Sequence, residues 1–103
     1  MLRRRRFVEL VQRQLDLFEV DEAPLLAEAQ AAEEAWTRAH REEAEELYGD
    51  YQLVVDALAE RLYDVREAYA ASLDAESAEA YRAAFDRAAR KRFRRYAGLL
   101  GVE

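Results

Sequence analysis

Residues 25–72, LLAEAQAAEEAWTRAHREEAEELYGDYQLVVDALAERLYDVREAYAAS, decide the fold. At the α-helical advance of about 100° per residue, Leu25, Ala29, Trp36, Leu47, Tyr51, Val54, Leu58, Leu62, Val65 and Tyr69 fall on one side, while Ala31, Arg38, Glu42, Gly49, Asp56, Glu60 and Glu67 fall opposite. The apolar stripe keeps its phase through Gly49, the only glycine in the segment. Ending a helix at Gly49 would place Glu42, Glu43, Glu45 and Glu46 in its last turns, against the dipole, and would leave Tyr48 and Tyr51 crowding a very short connection. The pattern therefore predicts one helix of about 48 residues, about 72 Å long at 1.5 Å per residue. The rival is a break at Gly49, which would give a four-helix up-down bundle.

On either side the periodicity continues. Phe7, Val8, Val11, Leu15 and Phe18 recur at helical spacing and predict a first helix from about Arg5 to Glu19. Asp21 is the candidate cap of the next helix, with Pro24 in its first turn, where no amide partner is needed. A second turn is expected at Ser72–Ser77, with Asp74 or Ser77 as cap, followed by a last helix to about Ala97 with Gly98 beyond it. The fold class is all-α: a single domain, 1–103, with one long central helix and two shorter helices folded back antiparallel. Composition agrees, with twenty-one alanines, one proline and three glycines.

With no cysteine, the chain has no disulfide, thiolate metal site or cysteine nucleophile. No secretory h-region follows Arg3–Arg6, and no apolar run approaches the roughly 18 residues of a membrane span, so a cytoplasmic protein is expected. Fifteen arginines against one lysine point to a GC-rich bacterial genome. The net charge of −6 is uneven: residues 1–15 carry +4, residues 16–86 carry −15 and residues 87–103 carry +5. Folding both short helices onto the long one would bring Arg3–Arg6 beside residues near 40 and Arg90–Arg95 beside residues 52–57. The acidic run Glu42–Asp50 would then lie between two basic clusters.

Three kinds of site merit weighing. His40, the only histidine, sits on the apolar side with Glu43 and Glu33 nearby in the helix, which makes these three weak candidates for a carboxylate/His metal site in a dimeric bundle. Di-iron bundles use Glu-x-x-His on two helices, whereas here the order is His40-x-x-Glu43, and an ion-pair cluster explains the same residues. Arg3, Arg4, Arg5 and Arg6 together with Arg90, Lys91, Arg92, Arg94 and Arg95 form a candidate nucleic-acid patch, interleaved with Phe93 and Tyr96. Opposing that patch are the acidic middle and a pI of about 4.9. The first helix could also lie on an anionic membrane surface through Phe7, Val11, Leu15 and Phe18, although an intramolecular core uses the same face.

For catalysis the sequence offers no glycine-rich phosphate loop, no nucleophile elbow and a single histidine, so no catalytic residue, cofactor or enzymatic function is expected. Between Tyr51 and Ala71 the apolar arc is wider than one flanking helix covers, because Leu53, Val55, Ala59 and Tyr63 lie outside the main stripe. That width predicts a homodimer through the long helix, with Tyr48, Tyr51, Val55, Ala59 and Tyr63 at the interface. The expected function is helical protein interaction or assembly, with a small nucleic-acid-associated regulator as the alternative and the metal-binding bundle third.

Overall fold

The computed structural model describes residues 6–96 and 100, and among them the fold is all-α with no strand. Four helices follow in order: α1 (Val8–Asp21), α2 (Ala23–Thr37), α3 (Arg41–Ala70) and α4 (Ala75–Arg92), with a 3-10 turn at Arg94–Tyr96. None of them is long and apolar enough to cross a membrane.

The expected 48-residue rod is interrupted, at Arg38–His40 and not at Gly49, which lies inside α3. The longest dimension of the protein is 51 Å, well short of the rod. Burial drives the reversal. Folding α2 back onto α3 stacks Trp36 on Tyr51 with ring centroids 5.6 Å apart and sets it 4.7 Å from Tyr48, while Ala29 becomes fully buried. A straight helix would leave that apolar face in water; the few backbone bonds lost at a break are worth only about 1 kcal/mol each.

Local chemistry fits the break. The Thr37 hydroxyl donates to the Glu33 and Glu34 carbonyls at 2.8 and 3.1 Å, ending α2 on side-chain back-bonding. His40 then turns extended, and its carbonyl accepts from the Glu43 and Ala44 amides to begin α3. Glu42 and Glu43 occupy the first turn of α3, where the dipole favours acids.

At the other expected turn the chain bends but does not reverse. Asp21 is the last residue of α1 and caps nothing; Glu22 stands at the junction without a side-chain capping bond, and Pro24 takes the first turn of α2. The two helices form one bent arm. Glu22 meets Arg61 and Trp36 meets Tyr48, so the arm runs antiparallel to α3. By contrast, α4 runs antiparallel to α3 (Arg66 to Asp86, Glu67 to Arg82) and parallel to α1 (Phe7 to Tyr81, Phe18 to Phe93). The C-terminal half of α3 thus has α1 and α4 beside it, and its N-terminal half has α2.

Asp74 is the cap of α4, its carboxylate accepting from the Ser77 amide at 3.4 Å. Helix α4 ends at Arg92, five residues before the expected end at Ala97, because Phe93 leaves the helical region and turns back so that it and Tyr96 are buried. Ala97 and Gly98 lie outside the described residues. The core joins Phe7, at the head of α1, and Val11, Leu15 and Phe18 within it to Tyr81, Phe85 and Ala89 of α4 and to Leu58 and Leu62 of α3. The apolar face of α1 is therefore packed inside the protein and is not a membrane-facing surface. Val8, expected on that face, is exposed.

Candidate functional site

A groove of about 350 Å³ between α3 and α4 brings apolar and polar groups of both helices together. Ala59, Leu62, Phe85, Ala89 and Leu100 form its apolar lining, Tyr63 stands at its lip, and Glu60, Arg66 and Asp86 are its polar members. Its size lies at the lower end of ligand-sized pockets. Helical periodicity places it: Leu62 and Phe85 point into the core, so the residues next to them on each helix flank the seam where α3 and α4 meet.

Charge fixes the seam. Arg66 Nη1 donates to Asp86 Oδ1 at 2.8 Å, and its Nε donates to Glu67 Oε2 at 2.9 Å. Arg82 grips the same Glu67 carboxylate through Nε and Nη2, both at 2.9 Å. These bonds, led by the Arg82 hydrogen bonds, draw the Glu67 carboxyl down to about 2. Arg66 also lies over the Tyr63 ring, 5.2 Å from its centroid, which orients the tyrosine at the lip. Elsewhere, burial pushes the Tyr81 phenol up to about 12, and its hydroxyl donates to Gln14 Oε1 at 2.8 Å. Both strongly shifted groups are tied into helix packing, which is a structural reason for each shift.

Of the expected interface residues, Tyr51 and Val55 are buried within the chain by α2, and Tyr48 is half-buried against Trp36. They are intramolecular core. Ala59 and Tyr63 do lie together at the groove, and Tyr63 is 56% exposed. Leu53, nearly three turns before Tyr63 on α3, is 69% exposed and reads in the sequence only as added apolar width.

His40 is exposed at the turn before α3, not on an apolar face, and Glu43 is exposed beside it. Glu33 is engaged elsewhere, 3.1 Å from Arg95 Nε. Among the described residues no cluster of three or more His, Asp or Glu side chains is arranged to hold a metal ion.

Among the described residues, Arg6 does not converge with the Arg90–Arg95 cluster. Arg3, Arg4 and Arg5 lie outside the described residues; Arg6 donates to the Ser77 hydroxyl at 3.3 Å, beside the start of α4 and far from residue 40. Arg92 binds Asp16 at 2.7 Å and Gln12 at 2.5 Å on α1, and Arg95 binds Glu33 on α2. The levels of Arg6 and Asp16 along α1 differ by about 15 Å. Arg90 is half-buried, whereas Lys91 and Arg94 are exposed. The reason for the difference is the bend at Glu22: it leaves α1 beside the C-terminal half of α3, so Arg6 reaches Ser77 and not the waist. Glu42, Glu43, Glu45, Glu46 and Asp50 are exposed at the far tip, and none of them is in an ion pair among the described residues.

Compared with known proteins, the chain matches no family model, no curated protein and no solved structure.

Proposed function

We propose that this chain is a non-catalytic helical assembly protein that pairs with a second copy of itself through the outer face of α3. The observation that carries the reading is the exposure of Leu53 and Tyr63 on the side of α3 turned away from its own core, with Tyr63 at the lip of an open apolar groove. Large apolar side chains grouped beside a groove mark interaction surfaces, whereas single ones scattered over a protein do not. Leu17 and Val20, also exposed, are interleaved with Asp16, Glu19 and Asp21, which makes the α1 surface a poorer candidate.

A stable pairing needs about 800 Å² from each partner. The total surface of 7240 Å² supplies that from about one-ninth of its area, a share within reach of one face of a 30-residue helix. The arginine-rich composition supports a bacterial setting. Light scattering on the eluting protein at micromolar concentrations tests the proposal. A mass near twice the 12.0 kDa of the chain is expected, falling to the single-chain mass for Tyr63→Glu. A wild-type protein of single-chain mass throughout would overturn it.

A further inference from the structure

The groove and its lip are complementary to each other, and this fixes how two copies meet. Along α3 the groove spans Ala59 to Arg66, so its midpoint falls at Leu62–Tyr63, and Tyr63 is also the exposed aromatic that projects from it. We propose that two copies pair with their α3 helices antiparallel about a two-fold axis at Tyr63, each tyrosine seated in the α3–α4 groove of the other. The inference rests on the self-association proposed above and adds to it the occupant of the groove and the register.

Three observations converge on this register. With the axis at residue 63, a residue and its opposite number sum to 126, so Glu60 of one copy faces Arg66 of the partner subunit. Glu60 is exposed and is in no ion pair among the described residues, while Arg66 uses Nε and Nη1 within its own chain and keeps Nη2 for a further acceptor. Charge complementarity of this kind selects register. Second, Leu53 comes to the level of Leu73 of the partner subunit, a partly buried apolar residue in the turn three residues beyond the end of α3. Third, Asp56, Glu60 and Tyr63 follow one another at spacings of four and three, the seam of side-by-side helices, within the stretch 56–70 over which the two α3 helices overlap about this axis. Any other register leaves Glu60 without a cation or offsets the tyrosine from the groove midpoint.

Distances between spin labels test the geometry without touching the tyrosine. The chain has no native cysteine, so Ala68→Cys and Gln52→Cys, both at exposed positions outside that seam, each carry one label per copy. An axis at Tyr63 predicts label separations of about 15–20 Å for Ala68→Cys and about 35 Å for Gln52→Cys, because each residue of offset adds about 3 Å between copies. Glu60→Arg is expected to weaken pairing at least tenfold by setting two cations against each other. Far-UV circular dichroism on each variant checks that the helices are intact. Equal short distances at both positions would mean a parallel pairing, and distances beyond 40 Å at both would mean another face. With the wild type still dimeric, either result overturns the register while self-association stands. A wild-type chain that stays single at high concentration overturns both.

Discussion

Glu67 joins two helices through one carboxylate, and removing its charge gives a quantitative test of how the bundle is held. It accepts two hydrogen bonds from Arg82 and one from Arg66, all at 2.9 Å, with 27% of its side chain exposed. A carboxyl drawn from its usual 4.5 to about 2 corresponds to an upper bound of about 3 kcal/mol. Solvent reaches the cluster and screens it, so we expect Glu67→Gln to cost about 1–2 kcal/mol at pH 7. For a chain of this size that is a fall in Tm of about 4–8 °C per kcal/mol.

The pH dependence gives the sign. Because the folded pKa is depressed, the stabilisation is complete above the unfolded value near 4.5 and disappears as pH falls through about 2. Thermal unfolding followed at 222 nm, at one fixed protein concentration, should therefore show a wild-type advantage at pH 7 that narrows below pH 4.5 and closes near pH 2. A gap of constant size from pH 7 to 2, or a variant as stable as the wild type at neutral pH, would refute the assignment of Glu67 as the charged link between α3 and α4.

Other substitutions probe the remaining parts. Gly49→Ala should raise stability by about 0.5–1 kcal/mol in chemical denaturation, since the residue is helical and a methyl there meets nothing; a loss would mean that the glycine is needed for a bend. Leu15→Ala, at a fully buried position between α1 and α4, should cost about 2–5 kcal/mol by urea unfolding, and a cost below 1 would place α1 outside the core. Tyr81 has its pKa raised by burial, so its contribution is complete below about pH 10 and is lost as pH rises towards 12. Tm measured over that range should fall less steeply for Tyr81→Phe than for the wild type, and the slope should not vanish, because burial also raises Tyr51 and Tyr96.

Much of the fold was legible from spacing. Phe7, Val11, Leu15 and Phe18 fall on one helical face and all four are buried; of the two candidate caps, Asp74 and Ser77, Asp74 is the cap; and Gly49 stays helical, as its place in an unbroken stripe implies. The reversal at Arg38–His40 was missed because it contains neither glycine nor proline and does not disturb the phase of the stripe. A signal was there all the same. The glutamates that argue against a helix ending at Gly49 argue equally for one beginning at Arg41, since acids gather at helix N-termini. Missing the reversal also misplaced the charges. Arg92 and Arg95 were expected beside α3; their carboxylate partners are Asp16 of α1 and Glu33 of α2, while Tyr96, next to Arg95, does pack on Tyr51 of α3 with ring centroids 6.2 Å apart. For the candidate site, Tyr63 and Ala59 were recognisable as apolar residues off the main stripe. The groove beside them was not, because it also needs Phe85, Asp86 and Ala89 of α4, whose register against α3 is set by Arg66 and Glu67.

The surface itself can be mapped directly by backbone amide resonances of the wild-type protein recorded from low to high concentration. Pairing through the outer face of α3 predicts shifts that grow with concentration and cluster at Leu53, Glu60, Tyr63 and Arg66 and across the groove at Asp86 and Ala89. Shifts centred on Leu17 and Val20 of α1, or a spectrum unchanged by concentration while the mass stays that of one chain, would contradict it.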